Sequence, residues 1–238
     1  MIVFAAIAPH GDLDEIPELR AAMEELGRRF DAAGPDTTIV VTPHNVHVER
    51  HFAIVTAARV GEWEVDREAA AELLRADLPI LGVSYGGNMP EQAEMPLDWG
   101  TEVPLRYLRA PRIVVVSPAR DLPLEDHMRL GEAIASNSLL RARRVALIAS
   151  ADHGHTHDAE GPYGYHPAAA AYDELLQEIL ASERLDFLPL AELVAEAKAD
   201  SLWQLLVLQG ALGSEARADL LAYDRRSYYG MLVAEVSR

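Results

Sequence analysis

The chain has no cysteine among its 238 residues. That absence excludes disulfides, thiolate zinc sites, iron–sulfur clusters and a cysteine nucleophile together. Any metal must therefore be held by histidine, carboxylate or water. Positive charge is also scarce: 21 lysine plus arginine residues face 38 acidic ones, a formal charge of −17, and no basic stripe stands out. Recognition of a phosphate backbone relies on clustered cations that release counterions, so no nucleic-acid partner is expected. Acidity of this degree favours solubility. No apolar run approaches the ~18 residues that a membrane span requires. No basic segment precedes the first apolar run, which breaks at Pro9-His10-Gly11-Asp12. No membrane partner and a cytoplasmic location are expected. Internal repeats and low-complexity tracts are missing too, apart from an alanine cluster at 168–171.

What remains is a chain that is half hydrophobic and one quarter charged, enough to build a core without staples. Its length suits one α/β domain spanning residues 1–238. Three apolar runs of β type each end in histidine: IVFAAIA before Pro9-His10, TIVV before Thr42-Pro43-His44, and VALIA before Ser150 and the SADHGHTH tract. Neighbouring parallel strands open their carboxyl ends on one crevice, where open α/β sheets bind ligands. The expected architecture is a mixed, mostly parallel central sheet flanked by helices, with the site at the strand carboxyl ends.

Along the chain, apolar spacing at residues 16–30 predicts a helix, completing a β-α-β unit with the TTIVVT strand. FAIVTA and EWEV suggest a hairpin around residues 59–61, residues 67–75 a helix, and LPILGVSY a further buried strand. The Gly-, Pro- and Met-rich stretch 86–100 predicts a long ordered loop near the site. A short helical piece from Pro104, a strand RIVVVSP, a helix at 125–140 and a strand RRVALIAS follow. Pro167 opens a helix to about residue 182, and segments 191–197, 201–212 and 215–223 are expected to be helical.

The chemistry rests on histidines. His10 and His44 share a Pro-His context at matching strand ends, which favours ligation by both over either alone. His47 is expected to line the pocket or sit on its rim, His51 to belong to a strand, and His127 to lie on a helix surface. In the 150–157 tract, alternation sends successive side chains to opposite sides, so at most two of His153, His155 and His157 face inward. The GPYGYHP turn adds Tyr163, Tyr165 and His166, whose aromatics could stack on a flat ligand.

Taken in order, the Pro-His-Gly after the first strand, the Pro-His after PDTTIVV, LDWGTEVPLRYL, ASADHGH and LWQLLVLQGAL resemble the type III extradiol ring-cleaving dioxygenases. These include the catalytic subunit of protocatechuate 4,5-dioxygenase and share their fold with Memo-type proteins. The resemblance implies a site where two histidines and one acid hold Fe(II) and a further histidine is the acid–base catalyst. By motif, His10 and His44 would be the metal-binding histidines and His155 the catalytic one. The acid would be Asp200, immediately before the LWQLLVLQGAL helix, with Glu196 a poorer-placed fallback. The usual residue is glutamate, so the shorter Asp200 requires a closer backbone. Trp99 stands where many relatives have a histidine and supplies an aromatic wall instead. Trp99, His153, Tyr163, Tyr165, His166 and His47 are the candidates for pocket walls or supporting hydrogen-bond donors.

The implied activity is iron(II)-dependent opening of a catecholic or aminophenolic ring by O2, in a homo-oligomer as relatives often form. The same residues leave open a zinc-dependent enzyme, such as a hydrolase, because His, His and Asp also suit zinc with a bound water. A non-catalytic Memo-like protein binding a metal or peptide is the third reading. Some Memo-type sites place a cysteine where this family has its acid, and a chain without cysteine fits the enzyme better.

Overall fold

A computed structural model describes every residue except 86–88, 90, 91, 226 and 227. Four of its strands are nearly continuous apolar runs: β1 (Ile2–Ala8), β2 (Thr37–Val41), β8 (Ile113–Ser117) and β9 (Val145–Ser150). Strands covered on both faces by helices read this way, without polar alternation. These four run parallel at the centre of an eight-stranded sheet. Its order is completed by β3 (Phe52–Val55), β6 (Ile80–Val83), β10 (Arg217–Asp224) and β11 (Met231–Ser237), giving β10-β11-β1-β9-β2-β8-β3-β6. β11 is antiparallel to β1, and β3 is antiparallel to β8. The mixed, mostly parallel α/β architecture is thus the expected one.

β1 and β2 are parallel but not neighbours, because β9 lies between them and pairs with both. Its register sets Ser150 beside Ala8 and Ala149 beside Val41. The three histidine-bearing strand ends therefore leave the sheet side by side. Alternate residues feed two cores. Ala5 and Ile7 face one with α4 (Leu124–Ser136), α6 (Ala168–Ala181) and α8 (Leu202–Leu212), while Phe4, Ala6 and Ala8 face the other with α1 (Pro17–Ala33).

Several expectations change. The segment 215–223 is not a helix: from Arg217 on it forms β10, and β11, which pairs with it, was not anticipated at all. A register shift between Leu220 and Ala222 interrupts the two-residue alternation that would have marked an edge strand. FAIV does not join the hairpin near Gly61. It enters the main sheet as β3, and the hairpin is the short pair β4 (Arg59–Val60) and β5 (Trp63–Glu64), extended by β7 (Glu94–Met95). LPILGVSY supplies β6 at the sheet edge, where Leu81 is 42% exposed, so that strand is not buried. The expected ordered loop 86–100 lies partly outside the described residues. Its described end holds β7 and the start of α3 (Trp99–Leu105), five residues ahead of Pro104, because the Asp98 side chain caps the Thr101 N–H. Among the described residues the remaining α-helices are α2 (Arg67–Leu73), α5 (Ser138–Ala142) and α7 (Val194–Ala197), the last preceded by a 3-10 helix at Leu188–Glu192. Among the described residues no helix is long and apolar enough to cross a membrane.

Candidate metal centre and its cleft

The register that levels the strand ends brings His10, His44 and Asp200 together, with one ligand atom from each lying within 4.8 Å of the others. The Nε2 atoms of His10 and His44 are 2.9 Å apart, and Asp200 Oδ2 sits 3.3 Å from the first and 3.4 Å from the second. Asp200 reaches this point with its short arm because a left-handed turn at Lys198, after α7, swings its backbone against the end of β9. There its Oδ1 accepts the Asp152 N–H at 3.2 Å. Glu196 is exposed and lies 3.8 Å from His166, away from this triangle.

The His10 ring is oriented from behind. Ser150 Oγ donates its hydrogen to the Gly100 carbonyl, so its 3.1 Å contact with His10 Nδ1 is one in which the ring N–H donates. That assigns a proton to Nδ1 and turns Nε2 toward His44 and Asp200, the orientation that metal-ligating histidines adopt. His44 is placed by a second lattice. Asp98 accepts from Thr42 Oγ1 at 2.7 Å, Asn45 Nδ2 at 2.8 Å and both the N–H and hydroxyl of Thr101. The Trp99 ring lies 4.3 Å from the His44 ring. A Cβ on Gly100 would meet Thr42 Oγ1 at 2.3 Å, so only glycine lets LDWG approach this closely.

A second carboxylate completes the centre. Asp152 Oδ1 accepts the His10 backbone N–H at 3.0 Å, and its Oδ2 lies 3.5 Å from His10 Nε2. Burial alone would depress His10, but Asp152 and Asp200 override it and push the imidazole up to about 9. Burial alone would raise Asp200, yet His10 holds it well below the usual carboxylate range. Asp152 is raised by burial, with His10 opposing and the Asp200 charge adding. The centre thus demands positive charge at one point between buried donors. Two imidazole nitrogens and one carboxylate oxygen on a single face fit a divalent transition metal.

This centre floors a cleft of about 690 Å³ whose walls include Trp99, His155, Tyr163, Tyr228 and Tyr229. His155 donates from Nδ1 to the His153 carbonyl and is stacked on Tyr229 with ring centroids 5.5 Å apart. Its Nε2 is therefore the basic nitrogen. Of the other residues singled out in the sequence, Trp99 and Tyr163 line the cleft. His153 is fully buried behind it, with Nδ1 3.1 Å from Ser201 Oγ, and burial pushes it down to about 4. Tyr165, His166 and His47 lie outside the described lining, and Tyr165 is 64% exposed. His51 forms a single bridge with Val48.

His127 departs most from expectation. It is not on a helix surface but completely buried against Phe52, with ring centroids 4.9 Å apart and Nδ1 donating to the Pro123 carbonyl at 3.2 Å. Its position shares the inward face of α4 with Leu130, Gly131 and Ile134. Burial pushes it down to about 4. Asp152, Ser150, Asp98, Tyr228 and Tyr229 were missed by sequence reasoning. Ser150 and Asp152 flank the histidine tract at a two-residue spacing that marks one side of an extended chain. The two tyrosines lie in the connection between β10 and β11, strands that gave no clear signal.

The fold is shared with a solved structure, an uncharacterized Escherichia coli K12 protein, JW3007, at a TM-score of 0.68 and 16% identity, covering 98% of this chain and 99% of that one. A Clostridium acetobutylicum protein, CA_C1420, is 22% identical over 90% of this chain, which spans about half (51%) of that relative's length. From residue 8 to residue 234 the sequence matches the family described as the catalytic LigB subunit of aromatic ring-opening dioxygenase, and the chain belongs to that family.

Proposed function

We propose that residues 1–238 form one catalytic domain, an iron(II)-dependent extradiol dioxygenase that opens a catecholic or aminophenolic ring. The observation that carries this is the His10, His44 and Asp200 triangle with His155 in the wall of the same cleft. A bound iron(II) would supply Lewis acidity toward the ring hydroxyls and electron transfer toward dioxygen. The chain supplies the rest. His10 and His44 offer lone pairs, Ser150 keeps the His10 ring from turning, and Asp152 holds the His10 backbone N–H. A free phenol ionises near pH ~10, so a base is needed beside the metal at neutral pH. His155, with Nδ1–H held by a carbonyl, takes that proton on Nε2 and returns one as the ring opens. Both atoms of O2 enter the product, and a carbon–carbon bond next to the hydroxyl pair breaks. Trp99, Tyr163 and Tyr229 offer flat faces for the ring and exclude water from it.

The test is anaerobic loading with Fe(II), followed by a panel of catechols and aminophenols monitored by oxygen uptake and by the absorbance of the yellow ring-opened product. Stoichiometric uptake with at least one ring is expected. No uptake with any of them overturns the reading. Stoichiometric zinc, with hydrolytic activity that survives air, would favour the zinc enzyme instead.

A further inference from the structure

The last histidine of the 150–157 tract takes no part in the metal centre. Its side chain is 6% exposed, and its Nε2 lies 2.8 Å from Asp173 Oδ2, on the inward face of α6. Asp173 is buried as well, at 1% exposure. The Tyr223 hydroxyl of β10 donates to the same Oδ2 at 2.7 Å, and the Gly154 N–H donates to Oδ1 at 2.8 Å. Both carboxylate oxygens are thus committed to groups from separate parts of the chain. A buried carboxylate is costly to keep unless hydrogen bonds replace its water, so its partners define what it is kept for.

The peptide unit joining His153 to Gly154 is the link to the cleft. Its N–H donates to Asp173 Oδ1, and its carbonyl accepts the Nδ1–H of His155. A peptide is planar, so holding the N–H also aims the carbonyl. A carboxylate at the N–H end polarises the unit and strengthens the bond that the carbonyl accepts. The surrounding backbone leaves this unit little freedom. The His153 N–H donates to the Gly230 carbonyl at 2.8 Å, and the Gly230 N–H to the Gly154 carbonyl at 3.0 Å. A Cβ on Gly230 would meet Asp173 Oδ2 at 2.0 Å, and one on Gly154 would meet Ala169, one turn earlier on α6, at 2.7 Å. The two glycines let the histidine tract and the connection between β10 and β11 cross against Asp173. From that crossing His155 and Tyr229 reach the cleft and stack on each other.

We infer that Asp173 is a positioning residue for His155, fixing through the 153–154 peptide both the direction of the ring and the nitrogen that carries its proton. This rests on the reading of His155 as the acid–base group of the cleft. His157 and Tyr223 hold the carboxylate so that Oδ1 stays on the Gly154 N–H. Asp173 belongs neither to the metal triangle nor to the described cleft lining, so its effect travels through one peptide. Loss of Oδ1 frees that peptide to rotate and releases Nδ1. The form with its proton on Nε2 then competes, and it turns toward the cleft a nitrogen that cannot accept a proton.

The tautomer can be read directly. Long-range proton–nitrogen NMR spectra of the full chain loaded with Zn(II), which is diamagnetic, report which ring nitrogen of His155 is protonated, and His155→Ala identifies its signals. The unsubstituted protein should show the Nδ1–H form. Asp173→Leu, close in size and without an acceptor, should shift His155 toward a mixture of the two forms. Asp173→Asn keeps one oxygen for Gly154 and should recover part of the shift. In turnover, Asp173→Leu is expected to lower kcat about 10- to 100-fold with little change in KM. The same substitution in a His155→Ala background should cost nothing further, because its effect passes through that ring. Should Asp173→Leu not fold, Tyr223→Phe loosens the carboxylate while keeping it, and should shift the same signals in the same direction by less. An unchanged His155 tautomer in whichever variant folds, or an equal loss of kcat with and without His155, overturns the positioning role. If no ring substrate is turned over, the dioxygenase reading falls, while the NMR spectra still decide the role of Asp173.

Discussion

At the scale of single residues, the centre depends on donors whose orientation is set from behind. Ser150 accepts the Nδ1–H of His10 only because its own hydrogen goes to the Gly100 carbonyl. Ser150→Ala is therefore expected to weaken metal affinity about 10- to 100-fold, the usual effect of removing a partner that orients a ligand, as read by chelator competition. His155→Ala should leave metal content intact while turnover falls by about 10²–10⁴, the typical contribution of a positioned acid–base group. His127 acts on stability. Its folded value near 4 lies below the free value of 6.5, so the unfolded chain binds the extra proton first. Stability is then full above pH 6.5 and is lost as pH falls toward 4. Between pH 7 and 5 the loss attributable to His127 is about 2 kcal/mol, to be read from urea midpoints, and His127→Leu should remove that part of the acid sensitivity. His10, His44 and Asp200 were legible because their motifs sit at strand ends and before a helix. Asp152 was not, because its role follows from a backbone N–H of His10, 142 positions away in sequence.

At the scale of elements, α8 links the core to the site. Gly131 of α4 and Gly210 of α8 let the two helices touch, and a Cβ on Gly131 would meet the Val207 carbonyl at 2.0 Å. Neither backbone can yield as a flexible side chain would. Gly131→Ala is expected to destabilise by about 1–3 kcal/mol, the usual range for overpacking. For a protein of this size that lowers Tm by roughly 2–4 °C per kcal/mol, measurable by calorimetry. The buried strands β1, β2, β8 and β9 announced themselves as apolar runs. The edge strands β6 and β10 did not, since an edge is half solvated and β10 is broken by its bulge. The α3 start was missed because a capping aspartate within LDWG outweighed the proline at 104.

At the scale of the whole molecule, the sheet concentrates buried negative charge at one point of an already acidic protein. A cation bound only by the folded state stabilises it by mass action, about 2.7 kcal/mol at one hundred times Kd. Stripping the metal by chelation should therefore lower Tm, and adding Fe(II) anaerobically should restore it. An Asp200→Asn variant should show no such dependence, because the neutral amide no longer offers a carboxylate to the cation.

The sequence by itself determined the class of fold, the central strands and the kinds of donor available, because apolar runs, proline and histidine act locally and the missing cysteine leaves few alternatives. Only the tertiary structure decided which groups meet. β9 inserts between β1 and β2, so Ser150 and Asp152 stand beside His10, and α4 turns His127 inward rather than outward. Long-range register has no local signature, and it is register that made three separate strand and helix ends into one centre.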